Sequence, residues 1–131
     1  MTTYIKFDPL VHNQPAMTEL LLHSHNHSDD VHRQVGAAIL RGKKVVSLGT
    51  NHASGYAACV PWANRAFVRS VVMHAEIDAI LSAMQEGFKD WTRATLMVSL
   101  EPCQNCRNVI EMLGIPEVIF FEEYIPSDSK R

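Results

Sequence analysis

The sequence predicts an α/β protein, a three-layer α/β/α sandwich built on a mixed sheet. Two short apolar runs, residues 35–40 and 44–49, flank an Arg-Gly-Lys turn, which indicates an antiparallel hairpin. Two further apolar runs, residues 94–100 and 118–121, enclose a helical segment, which is typical of a right-handed parallel crossover. Amphipathic helical segments precede the hairpin and the crossover. Helices should therefore cover both faces of the sheet.

The first element is expected to be a helix over about residues 15–28. Residues 1–14 show no sustained period, so they are expected to form an irregular lead-in. The end of the helix runs into the cluster from His23 to His32, which contains four histidines and two aspartates. Two interpretations stay open for this cluster, a second metal site and a polar loop or frayed helix end. The second is favoured, because alternating histidines do not fix a coordination geometry by themselves.

The hairpin that follows carries small residues where its first strand begins. Gly36 and Ala37 would let a helix or a ligand approach the sheet closely. Asn51 and His52 come directly after the second strand, where a turn asparagine can satisfy its own backbone. The connection from residue 53 to 71 is expected to be functional, because loops of this length in a compact domain usually are.

Two helices with clear termini are predicted in the second half of the chain. His74 opens an amphipathic run in which apolar residues recur at three-to-four spacing before Gly87. Pro102 suits the first turn of the next helix, and Gly114 suits the position just after its end. A histidine and two cysteines would thus lie at helix N-termini, where the backbone dipole favours negative charge.

The residues at these two helix starts form a pattern suited to zinc. Cys103 and Cys106 are three apart at a helix start, so both sulfurs can reach one ion. With His74 as a third ligand, one position of the tetrahedron stays open for water, as in catalytic zinc sites. Zinc lowers the pKa of that water from about 15.7 toward about 7 and so supplies hydroxide. Glu76 lies two residues after the histidine and is the candidate to move its proton.

Cys59 provides the alternative to this catalytic interpretation. As a fourth ligand it would close the site into a structural Cys₃His zinc centre. A small buried thiol is the commoner role of a lone cysteine, and the open site is therefore expected.

Composition limits the remaining function classes. At 131 residues with 47% hydrophobic content, residues 1–131 are expected to form a single domain with a proper core. The formal net charge of −2 argues against a protein that grips long nucleic acid by its phosphates. No apolar run has membrane-spanning length, so no membrane partner is expected. Three cysteines, two of them in one short motif, indicate metal use in a reducing compartment, and a cytoplasmic location is predicted.

The His-x-Glu and Pro-Cys-x-x-Cys motifs resemble the signature of the zinc-dependent cytidine and deoxycytidylate deaminase superfamily. The resemblance covers about residues 35–124 and implies a cytidine deaminase-like fold with a Zn²⁺ cofactor. It implies that His74, Cys103 and Cys106 bind the zinc and that Glu76 shuttles protons. In that superfamily, water replaces an amino group on a pyrimidine or purine, and ammonia leaves.

Two further stretches resemble the deoxycytidylate branch: the tract from Gly55 to Arg65, with its Pro-Trp, and the tract from Ile110 to Tyr124. They imply a nucleotide substrate, most simply dCMP, which would become dUMP. The resemblance implies that Asn51 contacts the sugar. Arg65 and Arg69 are candidates for the phosphate, since a guanidinium suits phosphate oxygens. The remaining candidates for substrate contact are Trp62, Ala75 and Tyr124.

Other functions stay open beside dCMP deamination. Histidine at position 74 disfavours the branch that acts on free nucleosides, which generally has cysteine there, while the guanine and tRNA-adenosine branches share the histidine. Deamination of cytosine in single-stranded nucleic acid and a non-catalytic zinc module are further alternatives. The chain is expected to be short at its C-terminus, without the fifth strand and closing helices of many members. The edge strand thereby exposed favours a homo-oligomer.

Overall fold

A five-stranded mixed sheet forms the centre of the computed structural model, which describes residues 1–30, 33–53, 62–64 and 72–123. The strands run in the order β1-β5-β4-β2-β3 across the sheet. Their bounds are β1 Thr3–Lys6, β2 Gly36–Arg41, β3 Lys44–Thr50, β4 Ala94–Leu100 and β5 Glu117–Glu122. The helices in these ranges are α1 Gln14–His27, α2 Ala75–Gln85 and α3 Gln104–Leu113, with a short 3₁₀ turn at Trp91–Arg93.

The predicted hairpin and crossover are both confirmed. β2 and β3 pair antiparallel around a turn in which Gly42 adopts a φ of 64°, a left-handed conformation that favours glycine. β4 and β5 pair parallel, with α3 connecting them. Helix α3 ends at Gly114, whose φ of 80° gives the left-handed cap that its position predicted.

The expectation of an irregular lead-in is wrong for Thr3–Lys6, which form β1. This strand pairs parallel with β5, with Tyr4 opposite Val118. A four-residue strand is too short to show a period, and its conformation depends on a partner from the other end of the chain. The N-terminal segment thus supplies the fifth strand of this sheet, and the absence of a further strand after β5 stays a prediction. β1 covers the outer side of β5, so the outer strands of this sheet are β1 and β3.

Alternate residues of each strand pack against helices on opposite faces, which confirms the three-layer architecture. Helix α1 covers one face, and α2 and α3 cover the other. The α1 side of the core comprises Ala16, Met17, Leu20, Ala38, Leu40, Met97 and Ile119. The opposite side includes Ala37, Ile39, Ala79, Ile80, Leu96, Val98, Ile110, Val118 and Phe120.

Two glycines allow helices to lie directly on the sheet. A Cβ atom at Gly36 would overlap the carbonyl oxygen of Leu20 in α1, which confirms the close helix approach predicted there. A Cβ atom at Gly49 would overlap the backbone of Ala75 and Ala79 in α2. Because Ala75 is the first residue of α2, the bare backbone of Gly49 lets the start of that helix lie directly on β3. Within the described ranges, none of the helices combines the length and apolar character needed to cross a membrane.

We expect Gly49→Ala to lower the free energy of unfolding by about 3 kcal/mol, because the added methyl group meets helix backbone that cannot move aside. Gly42→Ala is the control, since a Cβ there has nothing within 4 Å. It should cost only the left-handed strain, about 1–2 kcal/mol. Urea unfolding of both variants measures the difference, and a Gly49→Ala loss no larger than that of Gly42→Ala would contradict this account of α2 packing.

Candidate metal centre

Three side chains from two helix starts converge on the α2 and α3 side of the sheet. The Nδ1 atom of His74 lies 3.4 Å from Sγ of Cys106 and 3.6 Å from Sγ of Cys103. All three ligand atoms lie within 4.8 Å of one another. In the described part of the chain, this is the one group of three or more His, Cys, Asp or Glu residues with such geometry. The structure thus brings together the residues predicted to bind metal.

The local backbone explains why these side chains meet. His74 is the N-cap of α2 and Cys103 is the N-cap of α3, both with extended backbone conformations. Met73, just before the histidine, exchanges two backbone hydrogen bonds with His52, of 2.9 and 3.1 Å. On the cysteine side, the Glu101 N–H donates to the carbonyl oxygen of Glu122 at 2.8 Å. Each helix start is therefore tied to the end of a strand.

The donor set and its spacing fit zinc. A tetrahedral ion with Zn–S of about 2.3 Å and Zn–N of about 2.0–2.1 Å separates sulfur from nitrogen by about 3.5 Å, close to the distances in this site. A hydrogen bond from Cys106 lowers the pKa of the Cys103 thiol to about 3; burial opposes this shift, and His74 adds to it. One thiol is therefore held ready as a thiolate, the form that binds metal. Two sulfurs and an imidazole are the donors that zinc prefers.

Glu76 follows His74 by two residues and is not part of the three-ligand group. The residue is in the first turn of α2, and only 4% of its surface is exposed. A carboxylate in the first turn of a helix is stabilised by the backbone dipole. Its burial and its position two residues after His74 suit the predicted role of proton carrier, which stays a prediction.

Asn51 is buried, with 8% exposure, and bonds within the fold. Its Oδ1 accepts hydrogen bonds from the Ser28 hydroxyl at 2.7 Å and the Val35 N–H at 3.0 Å. Its Nδ2 donates to the carbonyl oxygen of Arg33 at 2.7 Å. These contacts join the end of α1 to the end of β3, a role that the sequence did not reveal. The predicted contact with a sugar stays a prediction, and the second Nδ2 hydrogen is the donor available for it.

Asp78 is a supporting residue that the sequence analysis missed. One carboxylate oxygen accepts the Thr50 N–H at 3.0 Å, and the other lies 3.2 Å from Nε2 of His52. The aspartate thereby fixes α2 to the end of β3, one turn beyond His74. An acid in the first turn of a helix is common for electrostatic reasons alone, so its position carried no specific signal.

The remaining residues predicted to contact substrate, together with Cys59, are only partly described by the structure. Ala75 is 1% exposed and packs in the core, and its predicted contact with a substrate stays a prediction. Trp62 is partly buried. The structure does not describe Arg65, Arg69, Tyr124 or Cys59, so their predicted roles stay predictions.

The histidine cluster is described in part, with His32 outside the described residues. His23 and His27 lie one turn apart in α1 with ring centroids separated by 4.7 Å. Burial and the neighbouring His27 lower the pKa of His23. Among the described residues these histidines do not assemble a second three-ligand group. His23, His25 and His27 lie in the last turns of α1, and the choice between a second metal site and a polar segment stays a prediction.

Comparisons with known proteins agree with this geometry. The family described as the cytidine and deoxycytidylate deaminase zinc-binding region matches residues 11–122. A deoxycytidylate deaminase of Mycobacterium phage D29 is 33% identical over 110 residues, covering 73% of this chain and 84% of that protein. The human deoxycytidylate deaminase is 34% identical over 110 residues, covering 77% of this chain and 60% of the human protein.

The fold also matches a solved structure. The dCMP deaminase of cyanophage S-TIM5, in complex with dCMP and dUMP, superimposes with a TM-score of 0.68 at 20% sequence identity. The match covers 94% of this chain and 89% of the phage protein. At this level of identity the likeness supports the fold, while the sequence matches above identify the family.

We expect Cys103→Ser and Cys106→Ser to abolish stoichiometric zinc binding, because each removes one of three ligands and a hydroxyl is a poor substitute for a thiolate. Zinc per chain is measured after dialysis against metal-free buffer, with about one ion per chain expected for the unaltered protein. Cys59→Ser is the matched control and should keep its zinc. Loss of zinc from the Cys59 variant would instead indicate a closed four-ligand site.

Proposed function

The chain belongs to the cytidine and deoxycytidylate deaminase family and is a zinc-dependent deaminase, and we propose that its substrate is dCMP, which it converts with water to dUMP and ammonia. The observation that carries this proposal is the three-ligand group, with the buried Glu76 two residues after one of its ligands. Three protein ligands leave one position of a tetrahedral ion open, as catalysis requires. The deoxycytidylate deaminases among its relatives support the choice of substrate.

The chemistry divides between the cofactor and the protein. Zinc held by His74, Cys103 and Cys106 supplies Lewis acidity that makes water a nucleophile at neutral pH. Glu76, as a carboxylate, accepts the proton that water loses as its oxygen adds to C4 of the cytosine ring. As a carboxylic acid it returns that proton to N3. Glu76 then takes the second proton from the hydroxyl now on C4 and passes it to the amino nitrogen, and the C4–N bond breaks to release ammonia and leave a C4 carbonyl. Its burial keeps bulk water from competing for these protons.

The substrate contacts follow from the chemistry of a pyrimidine nucleotide. Arg65 and Arg69 are proposed to bind the 5′-phosphate, which a guanidinium fork can hold through two hydrogen bonds. Asn51 is proposed to donate its second Nδ2 hydrogen to the deoxyribose. Trp62 is proposed to stack on the base. The backbone of Ala75 and the side chain of Tyr124 complete the proposed contacts.

The human relative is longer than the region it shares with this chain, which spans 60% of its length. A homo-oligomer and a cytoplasmic location stay predictions from the sequence.

Ammonia release tests the substrate directly. The zinc-loaded protein is incubated with dCMP, CMP, deoxycytidine, guanine and a short cytosine-containing single strand of DNA. We expect turnover of dCMP and at most weak turnover of deoxycytidine, because the phosphate supplies binding energy that the nucleoside lacks. Preference for deoxycytidine, guanine or the DNA strand over dCMP would contradict the proposed substrate while leaving deamination intact.

We expect Glu76→Gln to retain zinc but to lower kcat by about 10²–10⁴-fold, because the amide cannot accept or return the proton. Glu86→Gln is the matched control, since Glu86 is exposed at the other end of the same helix. It should leave both kcat and zinc content unchanged. A Glu76→Gln protein with unaltered turnover would rule out this residue as the proton carrier.

A further inference from the structure

Arg107 contacts the chain immediately before the first cysteine. Its Nε donates to the carbonyl oxygen of Pro102 at 3.2 Å, and its Nη2 lies 2.8 Å from Oε2 of Glu101. The Pro102 carbonyl belongs to the peptide that leads into Cys103. The guanidinium therefore restrains both the orientation of the peptide between Pro102 and Cys103 and the side chain of Glu101.

The same residue is joined to the second cysteine through the helix. Arg107 directly follows Cys106, and its backbone N–H donates to the carbonyl oxygen of Cys103 at 2.9 Å. Through its backbone and its side chain together, Arg107 thus contacts both ends of the turn that carries the two cysteines. A change in the Arg107 rotamer would shift the peptide before Cys103 relative to the helix that bears Cys106. The separation of the two sulfurs depends on that relation.

A side chain of strand β1 also packs on the guanidinium. The Tyr4 ring lies against Arg107, with 4.2 Å from the ring centroid to Cζ, a cation–π contact. The Tyr4 hydroxyl donates to Oε2 of Glu111 at 2.8 Å, one turn further along α3. Burial and the Glu111 carboxylate raise the pKa of Tyr4, so the phenol stays protonated and keeps this hydrogen bond. Tyr4 therefore contacts two successive turns of the metal-binding helix.

We propose that Arg107 and Tyr4 form a clamp that positions the two cysteine ligands, so that the N-terminal strand helps to set how tightly the metal is held. Groups that orient metal ligands without touching the ion contribute about 10–100-fold to metal affinity. The clamp rests on the metal site described above and is independent of which nucleotide is deaminated.

An ordinary surface ion pair is the competing explanation for the Arg107 and Glu101 contact. Their side chains are 29% and 23% exposed, and pairs of that kind contribute little to stability. The pair of Arg41 and Asp90 provides a comparison, because its side chains are 41% and 42% exposed and it joins the turn end of β2 to the segment before β4. If Arg107 had no positioning role, its removal should affect zinc no more than the removal of Arg41.

The clamp is tested by zinc affinity, measured by competition with a chromophoric chelator. We expect Arg107→Ala to weaken zinc binding by about 10–100-fold. Arg107→Lys should fall between this variant and the unaltered protein, because an ammonium keeps the charge but cannot form the planar fork. Arg41→Ala should bind zinc like the unaltered protein. Thermal unfolding of the metal-free forms separates loss of zinc affinity from general loss of stability.

Tyr4 variants test whether β1 acts through Arg107. Tyr4→Leu should weaken zinc binding, and Tyr4→Phe should weaken it less, because the aromatic ring over the guanidinium remains. In an Arg107→Ala background, Tyr4→Leu should have a smaller further effect, since the contact it removes is already lost. If Arg107→Ala does not fold, Arg107→Lys and Tyr4→Leu decide the question.

The clamp is overturned if the folded Arg107 and Tyr4 variants bind zinc as tightly as the unaltered protein. That result would leave the metal site and the deaminase activity standing. Absence of zinc binding by the unaltered protein would instead overturn the metal site itself, and the clamp with it.

Discussion

The convergence of two helix N-termini on one face of the sheet is the constraint on which the site depends. His74 precedes α2 and Cys103 precedes α3, so the ligands can meet only if both helices begin at the same place. The bare backbone of Gly49 lets the start of α2 lie directly on β3, and the parallel crossover from β4 to β5 sets the position of α3. A glycine and a strand connection thus contribute to a coordination geometry that no short segment could form alone.

The same arrangement explains why the site needs a cation. Two thiols, one with its pKa lowered to about 3, lie within 4.8 Å of each other, and the buried Glu76 follows their histidine partner by two residues. Helix N-termini offset part of the negative charge through their backbone dipoles, typically by about 0.3–1 kcal/mol per charge. Such contributions are small beside the cost of placing negative charge in a site shielded from water. A divalent metal balances these charges, and its binding is therefore coupled to the stability of the folded site.

The sequence was informative where the signal is local and silent where it depends on distant partners. Gly114 marked the end of α3, and the spacing of Cys103 and Cys106 marked the metal site. The placement of Pro102 in the first turn was wrong, because the helix begins at Gln104 and Pro102 lies just before the N-cap Cys103. Strand β1 was missed because four residues show no period and only their pairing with β5 makes them a strand. Asn51 was singled out for its position, but its bonds to Ser28 and Val35 depend on tertiary structure. The contact of Tyr4 with Arg107 was unpredictable for the same reason.

The metal site also joins two parts of the sheet that are supported separately. His74 is held by the edge strand β3, through the backbone bridge of Met73 to His52 and through Asp78. The cysteines lie on the same face but are held by strands nearer the other edge of the sheet, namely β4, β5 and the β1 residue Tyr4. An ion shared by these ligands links α2 to α3 across the face between them. An element that holds either the histidine or the cysteines in place therefore affects the zinc affinity of the whole site. In this way strand β1, at the outer edge of the sheet, can influence a metal that it does not touch.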